Sequence, residues 1–269
     1  MMGRIEETLK QTRGEQPSRS AVPITESVEA EHSIDFSKLP VVIPEEDCLE
    51  KHRIVAALND APERTAYKVL RTRILQRMRA LHFNVIGVTG AGPGEGKTLT
   101  AVNLAYALAQ DVNHHVILID LDLRRPSVHE YLGIAPPRDL SDLLRGTAKL
   151  DDVLVCPNVN RLAVMTCQQP LRDSSETLAS PEMANIIHQV KTLGQRTITI
   201  VDLPPVLASD DVIAFSPLVD ALLLVVGEDR CRREDLRETR ELLQESEILG
   251  VVLNGSREKS AAAGYYDYY

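Results

Sequence analysis

The sequence predicts an α/β fold, with a doubly wound, mainly parallel sheet and helices on both faces. Runs of Val, Ile and Leu alternate with segments of helical periodicity from residue 84 onwards. The runs are continuous rather than alternately polar, as expected for strands that helices cover on both faces. A glycine-rich turn follows the first run, and an aspartate ends two of the later runs. Folds of this class bind their ligands beyond the carboxyl ends of the strands.

The predicted strands and helices alternate along the chain. The strands lie at 84–89, 115–120, 161–165, 197–202, 220–226 and 248–253. The helices cover 62–81, 97–110, 139–146, 181–194, 209–216 and 232–246. On the first helix, apolar residues recur at the spacing of one helical face, at Tyr67, Leu70, Ile74, Met78 and Leu81. Its other faces carry Arg71, Arg73, Arg77 and Arg79. A solvated basic face and a surface for an anionic partner are both compatible with that pattern.

Composition restricts the possible classes of function. With 269 residues, the chain is long enough for one α/β domain of about 200 residues plus tails. The net charge of −9 argues against a general nucleic-acid-binding surface. No apolar run is long enough to cross a bilayer, and the N-terminus lacks the apolar core of a signal peptide. We therefore expect a cytoplasmic protein. The four cysteines have no C-x-x-C spacing, so neither a zinc site nor a disulfide framework is predicted.

Local composition predicts that the chain is divided into three parts. Residues 1–60 are predicted to be an N-terminal segment and linker, largely flexible, since residues 17–50 contain four prolines among Ser, Glu and Asp. Within it, residues 1–16 have the spacing of a short amphipathic helix. Residues 61–255 are predicted to form the folded domain. Residues 256–269 lose all periodicity and are predicted to be a flexible tail.

The segment GAGPGEGKT, residues 90–98, joins the first predicted strand to a helix. Glycines let backbone N–H groups approach a phosphate closely, and a helix N-terminus adds partial positive charge. Lys97 is expected to reach the β- and γ-phosphates of a nucleotide, and the Thr98 hydroxyl to ligate Mg²⁺. The strict pattern G-x-x-x-x-G-K-[ST] has glycine where this chain has Ala91. A flexible glycine loop without a ligand is the alternative, although Gly-Lys-Thr at a helix start favours phosphate binding. The predicted nucleotide-binding residues of this loop are Gly92, Pro93, Gly94, Glu95, Gly96, Lys97, Thr98 and Leu99.

Two further strands end in carboxylates. Asp120 and Asp122 follow one apolar run, and Asp202 ends another before two prolines turn the chain away. Carboxylates at the carboxyl ends of buried strands face the crevice in which the phosphate loop lies, where they can hold Mg²⁺ directly or through water. Since Asp120 and Asp122 alternate along the chain, one can face the metal while the other packs differently. The sequence therefore predicts a magnesium–nucleotide site.

Three linked motifs resemble those of the bacterial tyrosine kinases, which belong to the wider group of MinD- and ParA-like P-loop ATPases. The motifs are T-x-x-x-P-G-E-G-K-T at residues 89–98, apolar-D-x-D-x-R ending at Arg124, and apolar-D-x-P-P ending at Pro205. The segments DLPPVLASDD, residues 202–211, and SSE with SPEM, within residues 174–183, are similar to tyrosine autokinases encoded with exopolysaccharide and exosortase-type export systems. The resemblance covers about residues 62–269 and implies an ATP-dependent protein-tyrosine kinase.

The resemblance implies roles for individual residues. Lys97 and the loop amides would hold the phosphates of ATP, and Mg²⁺ would be held by Thr98, Asp122 and Asp202. Asp120 would be the candidate base that orients the incoming tyrosine hydroxyl, aligning it more than deprotonating it, because phosphoryl transfer passes through a loose transition state. Arg124 would steady the γ-phosphate or an acidic phosphorylated tail.

The resemblance also assigns roles to the end of the chain. Asn254 is similar to the adenine-contacting asparagine of the MinD-like group. Four of the seven tyrosines lie at the end of the chain, and they are the implied phosphoacceptors Tyr265, Tyr266, Tyr268 and Tyr269. Tyr265 lies eleven residues beyond Asn254, so an extended tail spans up to ~36 Å and can reach its own site or a neighbour's. In the family the transfer is expected in trans within an oligomer. The alternative interpretation is that the tyrosines are concentrated in the tail by accident.

The chain departs from the family pattern at the basic helix. Many relatives begin it with E-x-x-R-x-x-R, which builds a ring interface, whereas the aligned residues here are Thr65, Lys68 and Arg71. A homo-oligomer is still expected, without an assumed ring size. Many relatives also carry a membrane segment, and this sequence shows none. The implied partners are therefore a separate membrane chain-length or co-polymerase protein as activator, which recruits the kinase to the inner face of the membrane, and a tyrosine phosphatase.

Two other functions are compatible with parts of this sequence. A MinD- or ParA-like regulatory ATPase would switch between partners without phosphorylating protein. Such ATPases carry an extra lysine near the start of the loop, where this chain has Gly92. A catalytically weak scaffold that binds ATP and a membrane partner is the third possibility. The tyrosine-rich tail and the complete set of Lys97, Thr98 and aspartates favour the kinase.

Overall fold

Six parallel strands form one sheet in the order β3-β2-β4-β1-β5-β6. The computed structural model describes residues 34–58, 63–194 and 196–256. The strands are β1 (Val85–Gly90), β2 (His115–Asp120), β3 (Leu162–Met165), β4 (Thr197–Asp202), β5 (Ala221–Gly227) and β6 (Ile248–Asn254). Every neighbouring pair is parallel. The predicted fold class is confirmed, and each predicted strand is present within two residues of its expected bounds.

Helices surround this sheet. They are α1 (Glu46–Lys51), α2 (Arg64–Leu81), α3 (Lys97–Ala109), α4 (Val128–Leu132), α5 (Leu140–Leu144), α6 (Leu150–Val153), α7 (Ser174–Leu178), α8 (Pro181–Lys191), α9 (Asp211–Phe215) and α10 (Arg233–Leu242). Helices α8 and α10 stop short of the predicted ends at 194 and 246, and α8 gives way to a turn containing Gly194 at φ 84°. Helices α1, α4, α6 and α7 were not predicted, because segments of four to six residues are too short to show a helical period.

Two apolar cores lie on opposite faces of the sheet. Along β2, Val116 and Leu118 belong to the core that contains α3, whereas Ile117 and Ile119 belong to the core that contains α8 and α9. Successive side chains of a strand point to opposite faces, so this strand is covered on both. All four side chains are completely buried. The continuous apolar runs of the sequence follow from this double burial.

The register of the strands aligns the acidic residues at one edge. Asp120 at the end of β2 pairs directly with Asp202 at the end of β4. Val88 of β1 also pairs with Asp202, two residues before β1 gives way to the glycine-rich loop. The predicted site residues of three strands therefore meet at the carboxyl edge of the sheet.

Residues 34–58, here called the N-terminal strap, pack against this domain. Leu39 and Ile54 are buried, one in each core. Asn103 of α3 receives a hydrogen bond from the Ala56 N–H on its Oδ1 (2.9 Å) and donates one from Nδ2 to the Arg53 carbonyl (3.1 Å). The prediction of little structure is wrong for this part, because its few apolar residues find tertiary partners. The folded domain thus begins before residue 61.

Two predictions fall on residues that the structure does not describe. The amphipathic helix within residues 1–16 and the four tail tyrosines both lie outside the described ranges. Within those ranges, no helix combines the length and the hydropathy needed to cross a membrane.

Candidate active site

The phosphate loop runs from the end of β1 to the start of α3. Gly94 and Gly96 adopt φ values of 75° and 91°, a region that residues with a side chain rarely occupy. Gly96 also lies so close to Asn254 that a Cβ at this position would overlap the Asn254 amide nitrogen. Glycine is therefore required at Gly96 both by the backbone conformation and by space. The loop backbone curls in front of the N-terminus of α3, as phosphate binding demands.

Lys97 is folded back over the loop. Its side chain is nearly buried, with 7% exposure, and Nζ donates a 3.1 Å hydrogen bond to the Gly92 carbonyl. Burial lowers the pKa of Lys97, while the carboxylates of Asp202, Asp122 and Glu95 oppose that shift. Within the described ranges, the hydrogen-bond partner of this ammonium is one neutral carbonyl. Such a buried cation is suited to receive an anion, since a phosphate oxygen would restore the solvation that burial removes.

Thr98 and Asp202 join the start of α3 to the end of β4. Thr98 Oγ1 donates a 2.6 Å hydrogen bond to Asp202 Oδ2. The other oxygen of this fully buried carboxylate, Oδ1, has no hydrogen-bond partner among the described residues. Burial raises the pKa of Asp202 to about 7, and the nearby Asp122 raises it as well, whereas Thr98 and Lys97 act in the opposite direction. An unpartnered buried carboxylate oxygen is costly unless a ligand satisfies it.

Asp120 holds the loop that follows β2. Its Oδ2 accepts hydrogen bonds from the Ser127 and Val128 N–H groups, both at 2.9 Å, and its Oδ1 accepts one from the Asp122 N–H at 3.3 Å. The carboxylate therefore caps the first turn of α4. Burial raises the pKa of Asp120 well above its ordinary value, and Asp202 adds to this. Both oxygens are thus engaged with backbone donors.

Asp122 is partly buried, and its charge acts on Lys97 of the phosphate loop. Its Oδ1 accepts a 3.1 Å hydrogen bond from the Arg125 N–H. Burial raises the pKa of Asp122, the Arg125 N–H and Lys97 lower it, and the net shift is upward. Within the described ranges, no cluster of three or more His, Cys, Asp or Glu side chains forms a metal site by itself. That is compatible with Mg²⁺, which usually takes one or two carboxylates and completes its shell with phosphates and water.

The donor atoms present fit Mg²⁺. The predicted ligands are one hydroxyl, Thr98, and two carboxylates, Asp122 and Asp202, which are the hard oxygen donors that this ion prefers. The unpartnered Oδ1 of Asp202 is the structural observation that supports a cation here. The structure therefore brings Lys97, Thr98, Asp120, Asp122 and Asp202 to one edge of the sheet, as the sequence predicted.

Arg124 forms an ion pair with a residue that the sequence analysis did not assign. Its Nε and Nη2 donate to the two oxygens of Asp211, at 3.0 and 3.2 Å. Asp211 opens α9 and is completely buried, whereas the Arg124 side chain is 48% exposed. The two residues are 87 positions apart in sequence, so sequence spacing gives no indication of this pairing.

Two side chains, one from the end of β6 and one from just beyond β5, support the phosphate loop. Asn254 Nδ2 donates to the Glu95 carbonyl (2.9 Å), and Arg230 Nη1 donates to the Gly94 carbonyl (2.8 Å). Asn254 thus lies beside the predicted loop. Arg230 was missed, although its place just after β5, next to β1 in the sheet, is a positional signal that could have found it.

Glu95 contributes its backbone to the phosphate loop, while its side chain is not exposed to solvent. Its side chain is buried, with 1% exposure, and points under the loop towards Gly90. Neither of its carboxylate oxygens has a hydrogen-bond partner in the described part of the chain. The carboxylate instead adds negative charge near Lys97.

Comparisons with known proteins agree with this geometry. The family description "CobQ/CobB/MinD/ParA nucleotide binding domain" matches residues 86–268. Tyrosine-protein kinase YwqD of Bacillus subtilis (strain 168) is 30% identical over 203 residues, which are 74% of this chain and 84% of YwqD. The chain belongs to the bacterial tyrosine kinases. The family and the nucleotide-binding fold predicted for this kinase from its sequence are both confirmed.

Two further relatives show how this kinase relates to longer proteins. The succinoglycan biosynthesis transport protein ExoP of Rhizobium meliloti (strain 1021) is 31% identical over 217 residues. That alignment covers 78% of the kinase but only 27% of ExoP. The crystal structure of the VpsO kinase domain matches with a TM-score of 0.65 at 31% identity, over 76% of this chain and 97% of the VpsO domain. The kinase therefore corresponds to one domain of such longer relatives.

Proposed function

We propose that this kinase is an ATP- and Mg²⁺-dependent autokinase that phosphorylates its own C-terminal tyrosines in trans. The observation that carries the proposal is the meeting of Lys97, Thr98 and Asp202 at the carboxyl edge of the sheet, where Asp202 Oδ1 has no hydrogen-bond partner among the residues that the structure describes. Phosphoryl transfer from a nucleotide requires backbone amides that bind the phosphates, a buried cation that balances their charge, and hard oxygen donors for the metal ion.

Each residue of the site has a distinct task in this proposal. Lys97 turns its ammonium from the Gly92 carbonyl to the β- and γ-phosphates and balances their negative charge. Thr98, Asp122 and Asp202 would hold Mg²⁺, and the chemistry that this ion would supply is neutralisation of the negative charge on the phosphates. Asp120 keeps the loop that carries Asp122 in place through its three backbone hydrogen bonds.

The acceptor hydroxyl needs alignment more than deprotonation. A tyrosine hydroxyl has a pKa near ~10, yet a loose transition state develops little nucleophile charge, so a strong base is not required. Asp120 and Asp122 are proposed to align this hydroxyl, and its proton passes to water as the new P–O bond forms and the bond to the leaving ADP breaks. Asn254 is proposed to contact the adenine, because it adjoins the loop at Glu95.

The place where β6 ends supports the role of Tyr265, Tyr266, Tyr268 and Tyr269 as acceptors. Strand β6 ends at Asn254, at the same sheet edge as the phosphate loop. The remaining chain starts at that edge, so its tyrosines can reach this site or the site of a second copy (up to ~36 Å away for Tyr265). Transfer between copies is part of the proposal and implies a homo-oligomer.

The cellular setting is also proposed. Exopolysaccharide synthesis or export is supported by the likeness to ExoP, whose own name is that of a succinoglycan biosynthesis transport protein. We propose a membrane chain-length or co-polymerase protein as activator, recruitment to the inner face of the membrane through it, and a tyrosine phosphatase that reverses the reaction. A binding role for nucleic acid is not part of the proposal, given the net charge of −9.

One experiment tests the function directly. The purified chain is incubated with Mg²⁺ and ATP, and phosphate is mapped by mass spectrometry. Phosphate on the four tail tyrosines is expected, with none in the Lys97→Met variant. To test transfer in trans, a Lys97→Met chain with its tail is mixed with an active chain truncated before Tyr265. Phosphate on the inactive chain supports the proposal, whereas ATP hydrolysis with an unmodified tail would indicate the regulatory ATPase instead.

A further inference from the structure

The carboxylate of Asp211 is the centre of a hydrogen-bond cluster beside the proposed active site. It has no exposed surface and accepts from Arg124 Nε (3.0 Å), Arg124 Nη2 (3.2 Å) and Ser174 Oγ (2.9 Å). The Ser175 hydroxyl also bonds to it. Asp211 opens α9 and the two serines open α7, so the cluster connects both helices to the loop after β2. A buried carboxylate with this many donors is built into the fold.

The ion pair fixes the orientation of the Arg124 guanidinium. A bidentate contact holds the planar group along one edge, which a single hydrogen bond does not do. Burial raises the pKa of Asp211, but hydrogen bonds from Arg124, Ser175 and Ser174 outweigh it and lower the pKa overall. The carboxylate is therefore ionised and keeps the arginine in place. The Nη1 group of Arg124 makes no hydrogen bond to residues of the described ranges, and about half of the side chain is open to solvent.

The cluster lies close to Asp122, one of the proposed Mg²⁺ ligands. Burial raises the pKa of Asp122, Asp211 raises it further, and Lys97 lowers it, so Asp122 is close to both groups. The charges that act on Lys97 are those of Asp202, Asp122 and Glu95. With nucleotide phosphates proposed to lie at Lys97, the exposed part of Arg124 is available to a second ligand. The phosphate loop already supplies its own cation and amides for the nucleotide.

We propose that Asp211 is a positioning residue, which holds Arg124 ready to bind a carboxylate next to the acceptor tyrosine. This inference rests on the proposed kinase function and names a class of acceptor, namely a tyrosine flanked by acidic residues. The chain's own tail fits this class, since Asp267 lies between Tyr266 and Tyr268. A phosphotyrosine formed first would add about −1.5 to −2 charges and favour modification of its neighbours.

The test compares two peptides on full-length enzyme. One peptide copies residues 260–269, and the other carries the change Asp267→Asn. All enzyme variants carry tail changes that prevent the tail from competing with the peptide. These changes are Tyr265→Phe, Tyr266→Phe, Asp267→Asn, Tyr268→Phe and Tyr269→Phe. Peptide affinity is measured by fluorescence polarisation with a non-hydrolysable ATP analogue, and KM for peptide and for ATP by phosphate transfer.

Asp211→Asn is expected to raise Kd and KM for the acidic peptide about tenfold, the scale of a lost charge-assisted hydrogen bond. KM for ATP and affinity for the neutral peptide should stay within about twofold, since the phosphate loop is untouched. Arg124→Lys keeps the charge but loses the bidentate geometry, so it should behave like Asp211→Asn. It is also half exposed and folds even if the Asp211 variant does not.

Two matched controls separate position from charge. Arg125→Gln removes a cation from the same loop, and Asp173→Asn removes an exposed carboxylate next to Ser174; both should leave the preference for the acidic peptide intact. Equal affinity for the two peptides in the parent enzyme, or an unchanged preference in Asp211→Asn and Arg124→Lys, overturns the inference. Asp211-dependent binding without any phosphate transfer would leave this inference standing and refute the kinase function.

Discussion

Thr98 Oγ1 donates a 2.6 Å hydrogen bond to Asp202 Oδ2, which ties the first turn of α3 to the last residue of β4. The bond uses one carboxylate oxygen and leaves Oδ1 buried and unpartnered within the described ranges. Burial raises the pKa of Asp202 to about 7, so a proton on this carboxyl would compete with a cation at the site.

Magnesium binding should therefore depend on pH. A proton competes with the cation for Asp202, so the affinity of the nucleotide-bound enzyme for Mg²⁺ should fall by up to about tenfold for each pH unit below about 7. A fluorescent ATP analogue titrated with Mg²⁺ between about pH 6 and about pH 8 measures this. Asp202→Asn should weaken binding and flatten the dependence. A wild-type affinity that is constant across this range would contradict the assignment.

Gly96→Ala should weaken nucleotide binding strongly without unfolding the protein. The φ of 91° is strained for alanine, at a cost of about 1–3 kcal/mol, and its Cβ would overlap the Asn254 amide. The loop must shift to relieve the backbone strain and the overlap with Asn254. This shift should weaken nucleotide affinity more than tenfold, which corresponds to more than about 1.4 kcal/mol. Gly146→Ala is the matched control, since its φ is 70° but a Cβ there meets nothing within 4 Å. Equal nucleotide affinity in the two variants would refute this account of the loop.

The residues at the carboxyl edge of the sheet were predictable, because their position depends on where each strand ends. A continuous apolar run that stops at Asp120 or Asp202 indicates which residue lies at the carboxyl edge. Parallel pairing of the strands then aligns these two aspartates. The glycine-rich loop was predictable for the same reason, since it lies between a strand and a helix whose periods are clear. Local sequence alone is enough for such features.

The N-terminal strap and the Arg124–Asp211 pair were not predictable. In the strap, Leu39 and Ile54 are buried by contacts with distant elements, and prolines with polar neighbours conceal them from any periodic signal. Arg124 was singled out by a motif, but its partner is 87 residues away and follows another strand. Only the folded chain brings such residues together, because no local pattern encodes the distance between two loops.

The strap should contribute measurably to stability through Asn103. Its side chain bonds to the Ala56 N–H, the Arg53 carbonyl and the Leu99 carbonyl, all in a buried region. Asn103→Ala leaves the strap groups without partners, which should cost about 1–3 kcal/mol in the free energy of unfolding. Urea denaturation provides the measurement. Asn113→Ala, at an exposed turn, should change stability by less than about 0.5 kcal/mol. Similar losses in both variants would contradict a structural role for the strap.

Asp220 should stabilise the opposite edge of the sheet in a pH-dependent way. Its Oδ2 accepts from the Asn84 and Val85 N–H groups, both at 2.8 Å, and Lys191 Nζ lies 2.7 Å from Oδ1. Burial raises the pKa of Asp220, but Lys191 and the two N–H groups outweigh it and lower the pKa overall. A carboxyl with a lowered pKa stabilises the fold above its unfolded value of about 3.9, and this contribution is lost as pH falls through the folded value.

Asp220→Asn should therefore destabilise the protein by about 1–3 kcal/mol at neutral pH, because it removes charge-assisted hydrogen bonds that join β1, β5 and the end of α8. Near pH 3 the difference from wild type should shrink, since the wild-type carboxyl then begins to take up a proton as well. Urea unfolding at both pH values measures the two free energies. The exposed Asp173→Asn variant should match wild type at both. A deficit for Asp220→Asn that stayed constant as the pH was lowered would mean that packing, rather than the ionised carboxylate, carries the effect.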